Sequence, residues 1–169
     1  MYRRKRRNTL RAYLIPNREA FHGTPRDFAI SEARPAWGVY GPGFYLSTYA
    51  EEAVHYARMR REQHGGRAAV YECDVELTDP LDYADIEAVV DHRAPDDARV
   101  DRDIVEIVED EGDTLEADEA IAMLRALGGW DGIVVHLAPK GDGPEWRRAG
   151  REFFIVFDPT QLRCVRRLI

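Results

Sequence analysis

Strand-like segments occupy both ends of this 169-residue chain, and an acidic stretch with helical patterning lies between them. Helices grouped between two sets of strands argue an α+β fold, because a doubly wound parallel sheet needs strands and helices to alternate. Residues 19–22 read as a strand that stops at Gly23-Thr24-Pro25, and Phe44 to Ser47 read as a second. Arg34 to Gly43 carries too many Gly and Pro for regular structure and is expected to be a loop. Thr48 and Glu51 have capping-box spacing, and Ala50, Ala53, Val54 and Ala57 give the helix that follows a small-residue face, ending at Gly65-Gly66. Residues 68–77 form a third strand, followed late in the chain by Gly132 to His136, Glu152 to Phe157 and Leu162 to Ile169. In the acidic stretch, Ile104, Ile107 and Val108 mark one helical stripe, and Ile121, Leu124 and Leu127 mark the next.

Charge follows the same partition. Residues 78–119 hold 17 Asp and Glu against Arg93, Arg99 and Arg102, a local balance of −14, so with a net charge of −7 the rest of the chain sums to +7. Arg3, Arg4, Lys5, Arg6, Arg7 and Arg11 crowd a basic tail over residues 1–11, read either as a solvated terminus or as a holder of an anionic partner. The remaining 12–169 read as a single domain with an acidic helical segment at 78–128; 44% hydrophobic residues suffice for a core and argue against disorder. No apolar run approaches membrane-spanning length, and no signal-like apolar stretch follows MYRRKRRNTLR, so a cytoplasmic protein, or one delivered into a target cell, is expected. Cys73 and Cys164 share no motif spacing and are expected to be ordinary small hydrophobes in a reducing compartment. His55, His64, His92 and His136 lack ligand spacing, so no metal is expected. Gly-x-Gly-x-x-Gly, Gly-x-Ser-x-Gly, His-Glu-x-x-His and phosphate-loop motifs are absent from the sequence.

Three features exceed what a core requires. His22-Gly23-Thr24 ends a strand, where the histidine either packs structurally beside a turn or hydrogen-bonds a ligand hydroxyl while the glycine lets the ligand near the backbone. Tyr45 and Tyr56, eleven residues apart across a strand-to-helix turn, are either two core tyrosines or two walls of a slot for a flat cationic heteroaromatic. Glu152 opens an otherwise apolar strand and is either a surface partner of Arg151 or functional.

Together, His22-Gly23-Thr24, Gly43-Phe-Tyr-Leu-Ser47 with Ala53 and Tyr56, and Glu152 ahead of an apolar strand resemble the H-Y-E branch of the ADP-ribosyltransferases, to which diphtheria toxin and the poly(ADP-ribose) polymerases belong. Trp130-Asp-Gly-Ile133 and Phe157-Asp-Pro-Thr-Gln161 resemble segments of small bacterial and phage members. The resemblance spans about residues 19–77 and 130–165 and leaves the acidic segment uncovered. It implies a split pair of mainly antiparallel sheets around an NAD cleft. His22 would bond the adenine-side ribose, Gly23 the nicotinamide carboxamide through its backbone, and Tyr45 and Tyr56 would sandwich the nicotinamide, with Thr24 completing the motif. Glu152 would bond the 2′-hydroxyl of the nicotinamide ribose and stabilise the oxocarbenium-like ribose as nicotinamide leaves. Ala53 replaces the serine of the polymerase branch, and Gly150 stands where arginine-modifying relatives carry Glu or Gln.

The implied activity is mono-ADP-ribosyl transfer from NAD, as co-substrate and without metal, to a protein or nucleic-acid acceptor, in the manner of a toxin or effector with a cognate inhibitor as a further partner. An NAD glycohydrolase using water as acceptor, and a catalytically inactive binding domain of the same fold, are the alternatives.

Overall fold

The computed structural model describes residues 19–25, 35–111 and 115–169. The basic tail lies outside them. Among the described residues the order is β1 (Glu19–Thr24), β2 (Ala36–Gly38), β3 (Gly41–Ser47), α1 (Ala50–His64), β4 (Ala69–Val75), β5 (Leu81–Asp82), α2 (Tyr83–Val90), α3 (Ala98–Glu111), α4 (Ala117–Leu127), β6 (Gly132–Leu137), α5 (Glu145–Arg148), β7 (Arg151–Val156) and β8 (Leu162–Arg167). This is the α+β class expected from sequence. The strands run β5-β6-β7-β3-β1-β4-β8, with β2 on β3, and only β5 and β6 pair in parallel.

The sheet is pinched at its centre. β1 pairs with β4 over six residues, but it meets β3 only at Phe21↔Ser47. Because β2 takes the first part of that β3 edge at Ala36↔Gly43 to Gly38↔Gly41, the backbone of Tyr45 is left between two ladders. A backbone carbonyl in such a gap needs another donor, and that donor helps build the site described below.

Each face carries its own core. Phe44, Leu46, Phe154 and Val156 pack with Tyr71, Cys73 and Leu77 on one face. On the other, Ile86, Ile104, Ile121 and Leu124 from α2, α3 and α4 pack on Ile133, Val135 and Ile155. The acidic stretch is therefore a structural layer. Its apolar stripe is buried while Asp101, Glu106 and Glu109 face water. Each fully buried Ile or Leu contributes roughly 1.5–3 kcal/mol. Arg99 fastens this layer to the sheet, its guanidinium 3.2 Å from the Trp130 ring centre and 2.9 Å from Asp79.

Four expectations need correction. The Gly/Pro-rich stretch contains β2 and a tight hairpin, because Gly41 supplies the positive φ (+82°) that the turn requires. Thr48 and Glu51 make no capping box; α1 starts after Tyr49, and the Thr48 hydroxyl instead accepts from the Glu152 N–H at 3.3 Å. Leu127 is 60% exposed, because two steps of three residues rotate it well away from Ile121 before α4 ends at Gly128. Cys73 and Cys164 are joined as a disulfide, since they face each other in register across β4 and β8, which their separation of 91 residues conceals.

Candidate active site

The pinch opens a cleft of about 370 Å³ between β1, the β2–β3 hairpin, α1 and β7. Its walls include His22, Gly23, Tyr45, Tyr56, Arg151 and Phe153.

His22 fills the gap between the ladders. Its Nδ1 lies 2.9 Å from the Tyr45 carbonyl oxygen, so Nδ1 carries the proton and donates, leaving Nε2 as an acceptor in the neutral ring. Burial pushes the imidazole below its usual value of 6.5, against the smaller upward pull of that hydrogen bond. A depressed histidine favours the fold in its neutral form. Its contribution is complete above the unfolded value of about 6.5 and is lost as pH falls through the folded value. His22→Asn, which can still donate to Tyr45, is expected to lessen the fall in melting temperature between about pH 7.5 and 5.5; parallel fall-off in both proteins would show that the pH response arises elsewhere.

Gly23 serves packing as well as the cleft. A Cβ there would stand 2.1 Å from the Ala53 carbonyl oxygen and 3.2 Å from the Ala57 nitrogen, so β1 and α1 touch only because no side chain intervenes. Ala53 and Ala57 are buried at this contact with Val70, as the small-residue spacing of α1 predicts. Thr24 is buried one residue further on and is not among the described residues lining the cleft.

Tyr45 is fixed by the hairpin. Its hydroxyl donates to the Gly41 carbonyl at 2.6 Å and accepts from the Tyr40 N–H at 3.1 Å. Its ring lies where a Cβ on Gly38 would be, 2.4 Å from the ring's outer carbon. Burial raises the Tyr45 phenol, so it remains neutral. Tyr56 borders the same cleft from α1 and is 41% exposed; it meets the rings of Phe153, at 6.2 Å, and His55, at 6.0 Å, edge-on.

Glu152 is not brought to this cleft. Side chains of a strand alternate between faces, and Arg151 and Phe153 on either side of it are the β7 residues that line the cleft. The Glu152 carboxylate lies on the other face, 3.6 Å from Nδ1 of His136 on β6, whose Nε2 is 3.8 Å from Asp82. The structure thus gathers His22, Gly23, Tyr45 and Tyr56, and leaves Thr24 and the Glu152 carboxylate outside.

A buried polar network behind the cleft went unread in the sequence. Glu52, fully buried on α1, accepts from the Ser47 hydroxyl at 2.6 Å and from Arg151 Nε, which is 3.0 Å from both carboxylate oxygens. Arg151 is 10% exposed, and its Nη1 is buried with no hydrogen-bond partner among the described residues. Burial pushes the Glu52 carboxyl above its ordinary value, against the opposing pull of Ser47 and Arg151. Period-two alternation back from Ile155 puts Phe153 and Arg151 on the cleft side once its pairing with Tyr45 is known, and that long-range register has no local signal in the sequence.

A family model described as an ADP-ribosyltransferase in polyvalent proteins matches residues 18–167. No curated protein and no solved structure matches the chain.

Proposed function

The chain belongs to the family of ADP-ribosyltransferases in polyvalent proteins, and from that premise we propose that its cleft binds NAD and transfers a single ADP-ribose unit to a macromolecular acceptor. The observation that carries this reading is the meeting of His22, Gly23, Tyr45 and Tyr56, from three separate elements, around one cleft at the pinch in the sheet. A cleft of that size falls in the ordinary range for small-molecule sites. It suits the nicotinamide–ribose end of NAD, with the remainder of the dinucleotide reaching outward. The chemical fit is specific. Neutral His22 offers Nε2 to a ribose hydroxyl, and the tyrosine rings offer electron-rich faces to a cationic pyridinium. Arg60 adds positive charge for the dinucleotide's phosphates. A toxin or effector role is part of this reading; of the H-Y-E set, His22 and Tyr45 line the cleft and the Glu152 carboxylate does not.

The test is incubation of the purified chain with labelled NAD and host lysate, reading released nicotinamide and label retained on macromolecules. Both should appear together. NAD turnover absent under all acceptor conditions would sink the reading. Tyr56→Ala is expected to weaken NAD binding about tenfold by calorimetry, the equivalent of one lost aromatic stacking contact; unchanged affinity would remove Tyr56 from the nicotinamide site. The direction of the Glu152 side chain favours a second reading, a domain of the same fold that binds NAD without cleaving it. Tight binding with no nicotinamide release would select that one.

A further inference from the structure

The β2–β3 hairpin forms one wall of the cleft, and the sheet alone holds it weakly. Among the described residues β2 is three residues long and pairs with β3 only, and a short two-stranded ribbon is barely stable by itself. Its turn, Val39 and Tyr40, lies beyond the last ladder pair, Gly38↔Gly41, so the Tyr40 carbonyl finds its donor outside the sheet. That donor comes from the helical layer. Arg125 of α4 reaches the Tyr40 carbonyl oxygen with Nη1 at 3.3 Å. A Cβ on Gly41 would stand 3.1 Å from the same nitrogen, so the guanidinium rests directly on the turn. Its Cζ lies 3.8 Å from the centre of the Phe157 ring, which keeps the planar group in place. Tyr83 of α2 adds a second hold, with its ring edge-on to Tyr40 at 5.0 Å. The same turn fixes Tyr45, whose hydroxyl donates to the Gly41 carbonyl and accepts from the Tyr40 N–H. Arg125 thus grips the turn from outside while Tyr45 grips it from inside.

Resting on the reading of the cleft as an NAD site, we propose that Arg125 is a positioning residue for NAD: it holds the hairpin turn so that the Tyr45 ring faces the nicotinamide. Arg125 itself lies outside the lining of the cleft and acts through Tyr45. The helical layer, which the family resemblance in the sequence left uncovered, takes part in the site through this side chain. The effect falls on bound NAD more than on the transition state. The pyridinium is cationic while attached to the ribose, and the face of Tyr45 attracts that charge. As the bond to the ribose breaks, the ring becomes neutral and the attraction fades. Loss of Arg125 therefore removes ground-state binding, which raises KM and leaves kcat unchanged. An arginine that only stabilised the fold would instead lower the active fraction, and so the apparent kcat, at an unchanged KM.

The experiment compares the full chain as wild type, Arg125→Met, Tyr45→Phe and the double variant. NAD affinity is read by calorimetry and nicotinamide release by initial rates. Arg125→Met keeps an unbranched stem against Phe157 and removes the donor and the charge. It should weaken NAD binding and raise KM about fivefold, one hydrogen bond's worth, with kcat within about twofold of wild type. In the Tyr45→Phe background the hydroxyl that ties ring to turn is gone. There the same substitution should cost less than about twofold, the non-additivity of residues that act through one element. If Arg125→Met does not fold, amide exchange in the wild type decides. Saturating NAD should slow exchange in α4 about threefold and leave β8 unchanged, because coupling between two sites is reciprocal. Wild-type affinity in folded Arg125→Met, an additive loss in the double variant, a fall in kcat at unchanged KM, or α4 exchange untouched by NAD would each overturn the proposal while leaving NAD binding intact. If NAD binds without turnover, the affinities decide alone. No NAD binding by the wild type removes the reading of the cleft itself, and this inference with it.

Discussion

Gly23→Ala is expected to destabilise the domain by about 3 kcal/mol, toward the upper end for overpacking a close-packed interior, and to abolish NAD binding. The backbone at Gly23 is ordinary β-strand, paired to Val70, so an alanine is locally permitted there. The cost comes wholly from the neighbour. The new methyl would meet the Ala53 carbonyl oxygen at 2.1 Å and its carbonyl carbon at 2.9 Å. Both belong to helix backbone, which cannot swing aside as a side chain tip can. α1 must therefore move off β1, taking Ala53 and Tyr56 with it, and one wall of the cleft is lost. For a domain of this size the melting temperature should fall by roughly 6–12 °C. Gly141→Ala is the control, because its added Cβ meets nothing within 4 Å. Equal melting temperatures for the two variants would show that α1 does not press on β1 as described.

The positions recovered from sequence are those whose signal is local. Ala53 and Ala57 announce a helix that packs closely, and Gly23 announces a close approach, although the nearest visitor is α1. Tyr45 and Tyr56 are legible because a single turn separates strand from helix. The direction of Glu152 was not legible from its neighbours alone. Arg151 beside it suggested a surface ion pair, yet Arg151 bonds Glu52, 99 residues away, in the interior. Which side of β7 faces the cleft depends on register with β3, a long-range pairing that Tyr45↔Ile155 fixes. The cysteine pair failed to show for the same reason: it depends on β4 meeting β8. The hairpin was hidden differently, since the glycines that mark a loop also permit the tight turn at Gly41 and make room for the Tyr45 ring at Gly38.

Glu52→Ala is expected to cost about 3–5 kcal/mol, the range for removing one partner of a buried pair. Two side chains lose their acceptor at once. The Ser47 hydroxyl loses a 2.6 Å bond, and the Arg151 guanidinium, whose buried Nη1 has no hydrogen-bond partner among the described residues, loses both oxygens at Nε. Glu52→Gln separates charge from hydrogen bonding. Because burial raises the Glu52 carboxyl, the fold favours its neutral form relative to an ordinary glutamate. The contribution of that preference is complete below the usual carboxylate range and is lost as pH rises through the raised value. A neutral amide of the same shape should then cost only about 1 kcal/mol, one hydrogen bond's worth, and should remove that part of the pH dependence. Denaturant melts of wild type and both variants from mildly acidic to neutral pH measure this directly. If Gln proves as costly as Ala at every pH, ionic attraction to Arg151 holds the network. In either case NAD affinity should fall with stability, because Ser47 and Arg151 form the cleft wall that Glu52 supports from behind.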